Sequence, residues 1–261
     1  MKSKLWERQW LKRLFWIIVF GILWQLTTAF KWANPALLPP LSQIVSSLNQ
    51  SWQNGELWQA TLLSLQLILG GLLLGTLAAL ILAGLSMVSK VGQSFTDTVT
   101  AIAHPLPGIA LLPVIILWLG TGTEAILFII VHSVVWPMVL NLLAGFRSIP
   151  PIYREVGRNF GLKPLQNTGL IMIPASLPFL LAGLKIGWAR AWRALISAEM
   201  IFGAAGGEGG LGWYIFKRRV FMDTPGIYAG ILVIVIIGIL VEDVFFRQIE
   251  RLTVKKWGLS N

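Results

Sequence analysis

Cysteine is absent from all 261 residues, which excludes disulfides, thiolate metal sites and cysteine nucleophiles, so nothing covalent staples the fold. Charge is scarce as well. Asp, Glu, Lys and Arg make up 12% of the chain and hydrophobic residues 56%, with a mean hydropathy of +0.73, whereas a soluble domain carries about a quarter charged residues. Too few polar side chains are present to clothe a water-soluble globule of this length, so the expected solvent is lipid. Acids are the rarer charges: 11 Asp and Glu stand against 21 Lys and Arg, for a formal net charge of +10. A basic excess can serve nucleic acid, but here its placement follows membrane topology and no nucleic-acid partner is expected. No internal repeat of solenoid or propeller length is evident.

Six apolar runs are long enough, or nearly so, to cross the hydrocarbon as helices. They cover about Leu14 to Phe30, Leu57 to Met87, Thr98 to Leu119, Glu124 to Phe146, Leu170 to Phe202 and Pro225 to Phe246. An even number of spans puts both termini on one side. Fourteen basic residues fall on the side of the termini, in 1–13, at Lys90, in the connection after span four and in 247–261. Four fall on the other: Lys31, Lys217, Arg218 and Arg219. The positive-inside rule places both termini in the cytoplasm. The expectation is one transmembrane domain over 1–261, all-α, with a cytoplasmic segment 1–13 and a cytoplasmic tail 247–261. No small-residue cleavage site follows the first span, which reads as an uncleaved signal anchor. The stretch Lys31 to Gln53, with Pro35, Pro39 and Pro40, is too polar to span and has room for a short surface helix.

Interruptions inside spans matter because a freed backbone carbonyl in lipid must find another partner. Pro105, Pro107 and Pro113, with Gly108 among them, are expected to kink or break the third span, either to line a pathway or to help the bundle pack. Gly71 and Gly75 have small-xxx-small spacing and are expected to let another helix approach closely, either within the subunit, which is preferred, or at a dimer interface. The thirteen Trp residues mostly flank spans, as an aromatic belt does.

Between spans four and five, 147–169 is polar and of a length to hold a short helix outside the bilayer. Pro150 and Pro151 suit a helix start, Glu155 and Arg158 share a face, and Gly161 can end the helix before Pro164. Here the chain has Glu155-Val156-Gly157, three residues, Gly161, nine residues, then Ile171-Met172-Ile173-Pro174. That spacing resembles the EAA loop of bacterial ABC import permeases, written E-A-A, three residues, G, nine residues, I-x-L-P. Val156 and Gly157 replace the alanine pair and Ile173 replaces leucine; all three changes keep the motif compact or apolar. Leu37-Leu38-Pro39-Pro40, the run from His104 to Gly120, and Trp192 to Met200 are similar to the nitrate/sulfonate/taurine/bicarbonate permease group.

The resemblance implies a cytoplasmic coupling helix that docks on a separate ATPase subunit through Arg154, Glu155, Arg158 and Gly161. It further implies two ATPase copies that bind ATP and magnesium, a second permease copy, most simply a homodimer, and an external solute-binding protein. The chain has no Gly-x-x-x-x-Gly-Lys-[Ser/Thr] loop, and the Gly-rich Gly203 to Gly212 lacks the lysine, so no cofactor and no enzymatic activity are assigned to this chain.

The fifth span carries Lys185, Arg190, Arg193 and Glu199, and a charge at the bilayer centre costs at least about 2.5 kcal/mol on insertion scales. Arg190 and Arg193 share a helical face and Glu199 points elsewhere. Either the arginines meet an anionic solute in the pathway, together with Pro105, Pro107 and Glu199, or they pair with acids and carbonyls of other helices; the first is preferred, and Lys185 is expected to snorkel. His104 and His132 lack acidic neighbours at metal-ligand spacing and read as packing residues. A gradient-driven transporter using Glu199 as a relay is the alternative, and leaves the EAA spacing unexplained. An intramembrane hydrolase finds no nucleophile and base together.

Overall fold

The computed structural model describes residues 9–202 and 209–255, and among these every regular element is helical. Four helices are long and apolar enough to cross a membrane, and six spans result if two bent pairs are each counted once. This is an all-α integral membrane architecture. The helices used below are α1 (Gln9–Ala29), α2 (Leu41–Gln53), α3 (Glu56–Val88), α4 (Lys90–Ala103), α5 (Leu112–Leu119), α6 (Thr123–Ser148), α7 (Pro151–Asn159), α8 (Leu177–Phe202), α9 (Leu211–Val220) and α10 (Thr224–Ile239).

The third apolar run is broken as its prolines require. α4 ends at Ala103, a 3-10 turn covers Gly108–Leu111, and the two halves of the pair lie 88° apart. Pro105 and Pro107 sit in the break, where their missing N–H groups stop the helix. Pro113 differs from expectation. It lies in the first turn of α5, where an amide has no intrahelical acceptor anyway, so it starts a helix instead of kinking one. The fifth run is also interrupted, by a 62° bend at Ser176 between Pro174 and Pro178. There the Ser176 N–H is shared between the carbonyls of Met172 and Ile173.

The chain divides into two compact units, 1–59 with 214–233 and 60–213 with 234–261. In the second, α6 is the hub: Ile129, Ile130, Val134, Met138, Val139 and Leu142 are fully buried. α3 runs parallel to it, because a Cβ on Gly71 would meet Ile130 Cγ2 at 2.2 Å and one on Gly75 would meet Val134 Cβ at 2.7 Å. The small-xxx-small pair is thus an intrasubunit contact, as expected. α8 lies antiparallel to α6, pairing Phe179 with Gly145, Gly183 with Met138 and Gly187 with Val134. Pro137 is tolerated inside α6, and Asn141 Nδ2 donates to its carbonyl at 2.8 Å.

In the first unit the polar stretch after α1 does hold a helix, α2, which is opened by Pro40. Trp24 of α1 donates to the Pro39 carbonyl at 2.9 Å and meets the Tyr228 ring edge-on at 5.1 Å. Thr224 Oγ1 donates to the Ala36 carbonyl at 2.7 Å. Arg218 pairs with Glu56 and, at 2.8 Å, with Asp223, while Lys217 reaches Glu56 at 3.1 Å. Burial works against the Arg218 charge, yet Tyr214, Asp223 and Glu56 around it hold its pKa above the usual guanidinium value. Burial likewise raises the pKa of Tyr214, against the opposing pull of its 2.8 Å hydrogen bond to Ser51.

Candidate functional site

The break between α4 and the 3-10 turn does more than bend the chain. It leaves His104, Pro105, Pro107 and Gly108 on one wall of a cavity of about 600 Å³, whose other walls are α6 and α8. From α8 come Arg190, Arg193 and Ser197, one helical turn apart in succession, so they face the same space. From α6 come His132, Ser133 and Trp136. The spacing of the arginines in sequence puts them on one face, whereas no sequence signal brings His104 and His132 to the same cavity.

The polar groups of this cavity are fixed in different ways. Arg193 Nε donates to the Ala189 carbonyl one turn back at 2.9 Å, which holds the guanidinium against its own helix. Arg190 Nη1 lies 3.2 Å from His104 Nε2. A guanidinium can only donate, so His104 Nε2 is the acceptor in this contact. The His132 ring bonds to the backbone of Ala103, while its Nε2 is buried without a hydrogen-bond partner, as is the indole Nε1 of Trp136. Ser133 donates to Ile129 O at 2.8 Å, and its own carbonyl loses its usual donor because residue 137 is proline. Among the described residues neither arginine is ion-paired. Two cations, two orphaned ring nitrogens and, among the described residues, no acid in the lining make a cavity suited to oxygens bearing negative charge.

Glu199 is elsewhere. Its carboxyl is 1% exposed, accepts from Ser64 Oγ at 2.7 Å and from the Gly212 N–H at 2.8 Å, and Ser64 Oγ in turn accepts from the Leu211 N–H at 2.9 Å. A side chain of α8 and one of α3 therefore satisfy the first amides of α9. Gly210 is required there, since a Cβ would lie 2.1 Å from Glu199 Oε1. The structure does not bring Glu199 to the cavity that holds the arginines.

The loop after α6 forms α7, opened by Pro150 and Pro151. Its end is a Schellman motif: the Gly161 N–H donates to Arg158 O at 2.8 Å, the Leu162 N–H donates to Gly157 O at 3.0 Å, and Gly161 has φ +71°. Gly157 is held by close approach, a Cβ there lying 2.6 Å from Asn167 Oδ1. Glu155 and Arg158 are exposed, while the Arg154 side chain lies outside the described residues. Ile152, Tyr153, Val156 and Phe160 are exposed with them, Phe160 by 80%. The motif reading missed the two aromatics, although an aromatic in a polar loop is a signal available from sequence.

A family model described as binding-protein-dependent transport system inner membrane component matches residues 71–255, a stretch that holds the cavity, α7 and most of α3. The chain is 29% identical over 248 residues to the putative aliphatic sulfonates transport permease protein of Escherichia coli strain K12, which covers 94% of this chain and 92% of that one. It is 28% identical over 241 residues to the taurine transport system permease protein of the same strain, covering 90% and 86%. With the nitrate import permease protein of a Synechocystis strain the identity is 26% over 248 residues, covering 91% and 87%. The chain belongs to the binding-protein-dependent transport system inner membrane components, as an ABC transporter permease of the nitrate, sulfonate and taurine group.

Proposed function

We propose that this chain forms the membrane path of an ATP-driven importer for a small oxyanion, delivered by an external binding protein and released into the cytoplasm by alternating access. The observation that carries the proposal is the pair Arg190 and Arg193, which face one cavity with no acid beside them. Charges kept inside a membrane at such cost are there for a ligand or a relay, and arginine suits planar or tetrahedral oxyanions. The names of the relatives, which carry sulfonates, taurine and nitrate, agree with that chemistry.

In the same proposal α7 is the coupling helix. A helix outside the membrane spans that exposes Ile152, Tyr153, Val156 and Phe160 beside Glu155 and Arg158 is built to be covered by a partner. That partner is an ATPase subunit holding ATP and magnesium. Two ATPase subunits need two coupling helices, hence a second permease copy, most simply an identical one. Both termini and α7 are cytoplasmic. The gradient-driven alternative gains nothing from Glu199, whose carboxyl is engaged by backbone and hydroxyl donors away from the cavity.

The test is uptake of nitrate, taurine and alkanesulfonates into proteoliposomes that hold the permease with its ATPase and binding protein. Uptake of one of these anions that needs ATP is expected. Arg193→Gln should raise the solute concentration for half-maximal uptake about tenfold, as loss of one charge-assisted hydrogen bond would, with assembly intact. Uptake that proceeds without ATP, or unchanged kinetics in Arg193→Gln, would refute the proposal.

A further inference from the structure

A second, smaller cavity of about 220 Å³ adjoins the first and shares two of its lining residues, His104 and Pro105. Its other walls are Asp97, Thr100 and Ala101 of α4 with Leu140 and Leu143 of α6. Position along α6 orders the two spaces. The larger is lined by His132 to Trp136 and the smaller by Leu140 and Leu143, which lie about 6–16 Å further toward the end that continues into α7 at 1.5 Å per residue. His104 stands where they meet, at the broken end of α4, and there it accepts the hydrogen bond of Arg190.

The two spaces differ in charge. The larger is lined by both arginines, while the smaller is lined by Asp97, an exposed residue, and by Thr100, whose hydroxyl is buried without a hydrogen-bond partner. An anion attracted by Arg190 and Arg193 meets an acid after passing His104, so it is bound on one side and discharged on the other. The Arg190–His104 contact lies beside the residues the two spaces share, and a guanidinium released from it is itself an anion ligand.

We propose that the His104–Arg190 contact is the barrier between two compartments of the translocation path, with the larger compartment receiving the anion and the smaller one, nearer α7, releasing it. The proposal rests on the anion-import reading for its direction but not for its test. His104 is a positioning residue here: it holds Arg190 across the junction through Nε2, and the glycine and prolines that follow it leave no helix to take over that role.

The natural absence of cysteine makes the junction addressable by single substitutions. In the assembled complex with its ATPase subunits, Ser197→Cys reports on the larger cavity and Ala101→Cys on the smaller. With the ATPase subunits held closed by ATP and vanadate, a membrane-impermeant thiol reagent added to the outer face of sealed right-side-out vesicles should modify Ser197→Cys and spare Ala101→Cys. Adding His104→Ala should speed modification of Ala101→Cys at least about tenfold, the consequence of removing a barrier step. His104→Gln, whose amide oxygen can accept from Arg190, should keep Ala101→Cys protected, which a merely space-filling role would not require. If His104→Ala does not assemble, His104→Ser serves the same purpose with a smaller loss of polarity. Equal modification of both cysteines with His104 intact, or continued protection of Ala101→Cys in both His104→Ala and His104→Ser, would overturn the barrier. Failure of the unsubstituted complex to take up any anion would instead sink the import reading, and the labelling pattern would still decide the barrier.

Discussion

Glu199 shows how a single side chain can be conspicuous in sequence for one reason and placed in the structure for another. An acid in a span invites a role in the path, beside Arg190 and Arg193. In the structure its two oxygens take the hydroxyl of Ser64 and the amide of Gly212, 135 and 13 residues away. Glu199→Ala would leave a buried amide and a buried hydroxyl without acceptors, at about 1–3 kcal/mol each. The expected outcome is a fall of several degrees in the thermal unfolding midpoint of the detergent-solubilised complex, with a smaller fall for Glu199→Gln, which retains one acceptor oxygen. An unchanged midpoint with uptake abolished would return Glu199 to the solute path. Sequence could not separate these outcomes, because the partners of Glu199 are set by where α3 and α9 begin and end. The place of His104 is hidden from sequence for the same reason. His104 lies 86 residues from Arg190 and meets it only because the chain turns through 88° at the following prolines.

At the scale of the element, local chemistry was far more legible. Pro150 and Pro151 start α7 and Gly161 ends it, each for a backbone reason that needs no tertiary context. Gly71 and Gly75 announced a close helix neighbour and have one. What periodicity and composition did not show was the second break: the run Leu170 to Phe202 reads as continuous, yet Pro174 and Pro178 flank a bend at Ser176. The end of α7 carries its own prediction. Asp at position 161 would have to adopt φ near +71° and would add a negative charge at a helix C-terminus, each costing on the order of 1 kcal/mol. Gly161→Asp should therefore reduce recovery of the ATPase subunit with the permease and reduce uptake in parallel. Gly161→Asn, which tolerates the left-handed region and adds no charge, should retain most of both. Full recovery and full uptake in Gly161→Asp would make the coupling role of this helix untenable.

At the scale of the whole molecule, composition alone placed the chain in lipid, and the broken third span is where topology turns on a physical choice. If α4 with α5 crosses the bilayer, three crossings separate Leu37 from Asn159, counting α3 and α6. If the pair instead enters and returns, only two crossings do, and the two residues face the same side. The parallel course of α3 and α6 calls for a crossing between them, and the charge distribution agrees. A re-entrant pair would put Arg147, Arg158, Lys163 and, after two more crossings, Arg251 on the outer face together with Lys31, against the positive-inside rule, and would leave α7 out of reach of the proposed cytoplasmic ATPase. The uncovered prolines and carbonyls at the bend are no obstacle, because irregular backbone is tolerated at membrane depth where it borders a cavity, as residues 104–108 do. Single cysteines at Leu37 and Asn159, both exposed, decide the matter. An impermeant maleimide should label Leu37→Cys in intact cells and Asn159→Cys only after the membrane is permeabilised. Labelling of both in intact cells would make the pair re-entrant; labelling of Asn159→Cys alone would invert the whole chain and, with it, the direction of the path past His104.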